Sequence, residues 1–156
     1  MERTRIHLEI SLSKNTSRAE SPDADDHPIN NSNTLGPSSV NLALKQVATE
    51  YIFNHIQEPS LKSTDVAFHL RISLHRLNTV FEAFNHISAF EFIRQERMRR
   101  AALLLGQSTL TIAEVAMEVG YSNPANFSTE FKKFWEKSPT QLRAEYQANP
   151  DILQNF

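Results

Sequence analysis

The chain has 156 residues and no cysteine, which excludes disulfides, cysteine zinc sites and thiol nucleophiles and suits a reducing cytoplasm. No apolar run approaches the roughly 20 residues of a membrane span, and Met1-Glu2-Arg3-Thr4-Arg5 has no apolar stretch behind it, so neither a membrane segment nor a signal peptide is expected. The net charge is −2, and residues 41–156 hold twelve basic and twelve acidic groups, so bulk charge gives no support to a nucleic-acid partner.

Ile6, Leu8, Ile10 and Leu12 alternate with polar residues, a period of two that predicts a short amphipathic strand over 5–12. A lone strand cannot bury its apolar face by itself. From about Asn15 to Ser39 the chain is mostly Ser, Asn, Asp and Pro, too polar to offset its own ordering entropy, and is expected to be a flexible linker.

From Val40 the period becomes helical. Leu44, Val47, Ala48, Tyr51, Ile52 and Ile56 recur at three- and four-residue spacing until Glu58-Pro59 ends the helix. Ser63 is the expected N-cap of a helix to Leu70, and a further helix runs from Ser73 to about Asn85. Ser88 opens a long helix to Leu105, with Gly106 as its expected C-cap. Helices over Thr111–Val119, Pro124–Trp135 and Thr140–Gln147 complete seven, and 149–156 form a tail. The expected fold class is all-α, with a disordered N-terminal arm over 1–39.

Two stretches repeat. Asp65-Val66-Ala67 lies 49 residues before Glu114-Val115-Ala116, and Ser73 lies 49 before Ser122; after the turn the offset is 50, pairing Phe81 with Phe131, Phe84 with Phe134 and Ser88 with Ser138. Each copy is a short helix, a turn of about four residues and a second helix, the outline of a helix-turn-helix. In the second copy Gly120 supplies the positive φ of a sharp turn, and Asn123 caps a helix with Pro124 at its first position. Phe127, Phe131 and Phe134 form its inner stripe. A plain helical bundle accounts for apolar stripes, but has no need of the same turn twice.

Arg97-Met98-Arg99-Arg100-Ala101, Leu104-Leu105, Thr111-Ile112-Ala113-Glu114-Val115-Ala116, Val119-Gly120-Tyr121-Ser122-Asn123, Phe127, Phe131-Lys132-Lys133, Ser138-Pro139 and Arg143 together resemble the signature of the AraC/XylS family. The resemblance spans about residues 42–146 and is looser around Ser63–Phe92. It implies a homeodomain-like domain over 40–148, with helix-turn-helix subdomains at about 63–86 and 111–135 joined by a linker helix at about 88–105. Family members set their two recognition helices into successive major-groove segments, and most activate transcription through RNA polymerase. Two departures stand out. His86 and Glu136 occupy positions where relatives carry glycine, so each must adopt αL or end its helix differently. Thr79 stands where many relatives carry Arg.

By position in the motif, His75, Asn78 and Thr79 in the first unit and Asn123, Asn126 and Thr129 in the second are the expected base contacts. Ser73, Arg76, Ser122, Ser128, Lys132, Lys133 and Arg143 are the expected phosphate contacts. Arg94, Arg97, Arg99 and Arg100 form the densest basic run, but helical spacing scatters them, Arg97 falls at a position that is structural in the family, and at most two reach phosphate.

The six histidines lack metal-ligand spacing, no glycine-rich phosphate loop exists, and a DNA-repair methyltransferase built on a similar unit would need an acceptor cysteine. No catalysis, metal or cofactor is expected. The expected function is a sequence-specific, double-stranded-DNA-binding transcription regulator, an activator that contacts RNA polymerase. With only about 40 residues ahead of the domain, the chain alone is not expected to bind a small-molecule effector. The rival reading is a degenerate interaction protein that binds a regulator or polymerase without specific DNA binding.

Overall fold

Seven helices make up the computed structural model, which describes residues 39–149: α1 (Ser39–His55), α2 (Ser63–His69), α3 (Leu74–Asn85), α4 (Ala89–Gln107), α5 (Ile112–Glu118), α6 (Pro124–Trp135) and α7 (Pro139–Ala148). The strand expected over 5–12, the linker up to 38 and the tail from 150 lie outside the described residues. Among the described residues no helix is long and apolar enough to cross a membrane.

Two separate cores form. Ala48, Ile52, Val66, Leu77 and Phe81 pack with Phe92 and Ile93 in the first. Val115, Ala116, Phe127, Phe131, Leu142 and Tyr146 pack with Met98, Ala101, Ala102 and Leu105 in the second. Helix α4 serves both by changing its buried face halfway along. At about 100° per residue, Ala89, Phe92 and Ile93 lie on one side of the helix, whereas Met98, Ala101, Ala102 and Leu105 lie on the opposite side. The helix is about 28 Å long at 1.5 Å per residue, so one rigid rod is rooted in both cores.

Local chemistry writes most of the boundaries. Ser73, Ser88, Thr111, Asn123 and Ser138 each accept a backbone N–H in the first turn that follows them. Two boundaries differ from expectation. Ser63 is already helical; the cap at α2 is made by the Asp65 carboxylate, which accepts from the Lys62 N–H at 2.8 Å. Gly106 lies inside α4, because the N–H and hydroxyl of Ser108 both reach back to the Leu104 carbonyl and hold the last turn helical.

Within the two turns the repeat is reproduced bond for bond. After α2 the N–H groups of Leu70, Arg71 and Ile72 bond the carbonyls of Val66, Phe68 and Ala67; after α5 those of Val119, Gly120 and Tyr121 bond Val115, Met117 and Ala116. Arg71 (φ 55°) and Gly120 (φ 82°) take the same left-handed position in the two turns, and His86 (φ 58°) and Glu136 (φ 60°) take the same one after α3 and α6. The additional residue of the second copy is Ser122. Asn123, rather than Ser122, therefore takes the capping role of Ser73.

His86 and Glu136 thus adopt αL rather than ending their helices in another way. A non-glycine residue there costs about 1–2 kcal/mol, against about 0.5–1 kcal/mol of additional chain entropy lost by glycine. His86→Gly and Glu136→Gly are each expected to raise stability by about 0.5–1 kcal/mol. Chemical denaturation reads this, and a loss of stability in both variants would contradict it.

Candidate nucleic-acid interface

Helix α6 separates two faces. Phe127 and Phe131 are fully buried, with ring centroids 5.5 Å apart, and anchor its inner side. Asn126, Thr129 and Lys133, at i, i+3 and i+7, form a stripe on the outer side. The Asn123 side-chain oxygen caps the helix, accepting from the N–H groups of Ala125 (2.8 Å) and Asn126 (3.2 Å). Ser122, Asn123, Asn126, Thr129 and Lys133 line one shallow concavity beside the α5–α6 turn. Ser128, Thr129, Lys132 and Lys133 border a second. Ser128 is half-buried and donates to the Pro124 carbonyl (2.9 Å), while the Thr129 hydroxyl donates to Ala125 (3.0 Å).

Helix α3 repeats this scheme with different residues. Counting from the caps, Arg76 matches Asn126, Asn78 matches Ser128 and Thr79 matches Thr129. His75 and Thr79 are exposed, and the Thr79 hydroxyl donates to the His75 carbonyl at 3.0 Å, as Thr129 does in its own helix. Asn78 is half-buried, with its carbonyl oxygen accepting from the Ala89 N–H at 3.2 Å, a tie to the start of α4. Arg76 is half-buried and donates to the Asn41 side chain on α1.

Arg143 is turned inward. Its guanidinium donates to the carbonyls of Leu105 (3.4 Å) and Leu110 (2.6 Å), pinning the connection between α4 and α5. Three of the four arginines of α4 also serve the fold. Arg94 pairs with Glu91 (2.9 Å) and with Glu130 of α6 (2.7 Å), and Arg99 pairs with Glu96. Arg97 donates to the carbonyls of Ile56 (3.2 Å) and Glu58 (2.7 Å), while its guanidinium lies 5.8 Å from the centre of the Tyr121 ring. It thereby joins the end of α1 to the α5–α6 turn. Gln57 adds a parallel tie, donating to Glu118 at 2.8 Å. Burial pushes the Arg97 guanidinium below its ordinary value and the Tyr121 phenol above its own.

Sequence reasoning placed Arg76 among phosphate contacts and missed that it stands at the Asn126 position. The signal was available, since each lies three residues after its cap. The reach of Arg97 and Arg143 was not, because their acceptors are backbone carbonyls more than 30 residues away.

Two carboxylates give the domain an acid limb. Lys133, then Arg94, hold Glu130 below the ordinary carboxylate range; the Thr111 N–H, then its hydroxyl, do the same for Glu114. A depressed carboxyl contributes stability that is complete above about pH 4.5, the ordinary glutamate value, and is lost as the pH falls through the lower folded value. Melting temperature is expected to fall through that window, and Glu130→Gln to flatten the fall. An unchanged profile in Glu130→Gln would mean that the Arg94–Glu130–Lys133 chain adds nothing to stability.

The geometry defines a class: a tandem helix-turn-helix domain whose two second helices present polar stripes. The Helix-turn-helix domain family model matches residues 66–145, about half of the chain. The chain belongs to the AraC-type helix-turn-helix family of DNA-binding transcription regulators. Among curated relatives, it is 34% identical to the Msm operon regulatory protein of Streptococcus mutans over 78% of this chain and 41% of that one. It is 33% identical to the arabinose operon regulatory protein of Escherichia coli over 62% and 33% respectively. The chain therefore spans well under half the length of these relatives. Among solved structures, the C-terminal domain of the response regulator AraT from Geobacillus stearothermophilus matches at TM-score 0.62 and 33% identity, covering 70% of this chain and 87% of that one. The DNA-binding domain of AdpA, solved with a target DNA, shares the fold at TM-score 0.62 and 23% identity over 69% and 96%.

Proposed function

We propose that this domain reads double-stranded DNA by sequence, with α3 and α6 in successive major-groove segments, and that it activates transcription by contacting RNA polymerase. The observation that carries the DNA reading is the duplicated turn: the two units use the same hydrogen bonds to present Thr79 and Thr129, each beside a polar partner, from equivalent positions. Asn126 and Thr129 lead base contact in the second unit, Asn126 suiting adenine N6/N7. His75 and Thr79 lead in the first, and Arg76 reaches a base by giving up its bond to Asn41. Lys132 and Lys133 are exposed and suit phosphate, with Ser73 and Ser122 near helix N-termini. Asn78, Asn123, Ser128 and Arg143 act chiefly by shaping the units. The polymerase contact rests on the family resemblance.

One observation favours the rival interaction-protein reading. Where α6 carries Lys132 and Lys133, α3 carries Glu82 and Ala83, so the first unit lacks the phosphate-binding pair of the second.

Selection of bound duplexes from a random library, repeated at two salt concentrations, tests both. An enriched motif with two boxes about one helical turn apart supports two reading units. Asn126→Ala is then expected to weaken the selected site about 10- to 100-fold and relax one box; Lys132→Ala is expected to weaken all sequences alike and lower the salt slope by about one. No enrichment, with weak binding insensitive to salt, rejects the DNA reading. Transcription in vitro from the selected site, with and without the protein, tests the sign of regulation.

A further inference from the structure

The geometry points to a binding site for a small amphipathic organic acid in the groove between α1 and α4, behind α6. This stands apart from the DNA reading. The groove has a volume of about 540 Å³, within the range of small-molecule sites. Phe53, Ile56, Leu103 and Trp135 form its apolar walls, with Phe53 49% and Leu103 38% exposed, and the Glu96–Arg99 ion pair and Arg100 line its polar side. Ala48, Ile52 and Ile56 fill the inner face of α1, and Phe53 flanks that core with its ring 6.4 Å from that of Phe92. Trp135 is held as a fixed wall by its indole N–H, which donates to the Met98 carbonyl at 3.1 Å.

Charge selects the occupant. Of the four arginines on α4, Arg94 is paired with two carboxylates, Arg97 with two carbonyls, and Arg99 with Glu96. Arg100 is half-buried at the groove, and among the described residues no hydrogen bond or ion pair engages it. A guanidinium left open beside aromatic and aliphatic walls matches a carboxylate attached to an apolar body.

DNA is not the anion. Trp135 follows Asn126 by nine residues, about 900° of helical turn, so the groove and the outer stripe of α6 lie on opposite sides of that helix. An acid bound here leaves Asn126, Thr129 and Lys133 free. This runs against the expectation that the chain alone binds no effector. Phe53, Arg100 and Trp135 come from three separate helices, and no local motif connects them.

Trp135 is the sole tryptophan, so its fluorescence reports on the groove directly. The experiment titrates the protein, without DNA, with octanoate and 4-phenylbutyrate and with the matching alcohols, octanol and 4-phenylbutanol. At least one acid is expected to give a saturable change and to bind about tenfold more tightly than its alcohol. Arg100→Gln is expected to remove that tenfold preference, and Lys62→Gln, at an exposed cation outside the groove, to keep it. Far-ultraviolet circular dichroism confirms that both variants fold. No saturation by either acid up to about 10 mM, equal affinity for acid and alcohol, or an undiminished preference in Arg100→Gln would each overturn the assignment.

Discussion

Gly120→Ala is expected to destabilise the domain by about 3 kcal/mol, the sum of a left-handed backbone penalty of about 1–2 kcal/mol and a comparable overpacking term. Gly120 has φ +82°, and an added Cβ would stand 2.6 Å from the Ile56 carbonyl oxygen and 2.8–2.9 Å from the Arg97 guanidinium. The carbonyl is backbone, already held by Arg97, and cannot swing aside as a side-chain tip would. Melting temperature should fall by roughly 12–20 °C for a domain of about 100 residues. The first unit provides the control. Arg71 occupies the matching turn position at φ 55°, so Arg71→Gly relieves strain and is expected to stabilise by about 0.5–1 kcal/mol. A loss below about 1 kcal/mol in Gly120→Ala would show that the turn yields and that the close approach to Ile56 is not needed.

These two positions show what the sequence carries and what it hides. The need for a positive φ at Gly120 is local: a glycine after Val115, Ala116 and Val119 and before an Asn-Pro cap says so on its own. The same demand at Arg71 is invisible locally and emerges only from the 49-residue offset. Helix starts are legible where Ser, Thr or Asn precedes an apolar run, as at Ser88, Thr111, Asn123 and Ser138, because the cap bond spans two or three residues. Ser63 misleads because Asp65 does the capping from inside the helix. Gly106 misleads because its helical conformation is decided by Ser108, two residues later.

The candidate interface divides in the same way. Motif position and helical spacing suffice to put Asn126, Thr129, Lys132 and Lys133 forward as candidates on the outer face of α6. Asn78 and Arg143 look identical to reading residues in a sequence, since an exposed and a tethered amide or guanidinium share one letter. Only the Ala89 N–H and the carbonyls of Leu105 and Leu110 distinguish them, and these partners have no sequence signature. The face change of α4 is legible in retrospect, because its apolar residues switch sides between Ile93 and Met98. The side chains that then cross from one unit to the other are not.

Those crossing side chains set the second large expectation. Helix α4 roots in both cores, yet its middle, between Ile93 and Met98, belongs to neither. Arg97, on the Ile56 and Glu58 carbonyls and over Tyr121, and Gln57, on Glu118, oppose twisting about that stretch. Arg97→Met keeps the aliphatic stem and removes both donors, leaving two carbonyls without their charged partner. Stability is expected to fall by about 1–3 kcal/mol, with both cores intact by circular dichroism. The diagnostic readout is DNA geometry. One base pair inserted between two boxes rotates the second by about 35°, which a rigid pair of recognition helices tolerates poorly. For the native protein that insertion is expected to cost about 100-fold in affinity, and for Arg97→Met about tenfold or less, with a lower affinity for the uninserted site. Measuring both proteins on both duplexes separates the roles. An equal insertion penalty would assign the spacing to α4 alone and leave Arg97 a stabilising residue; a reduced penalty makes it the residue that holds the two units in phase.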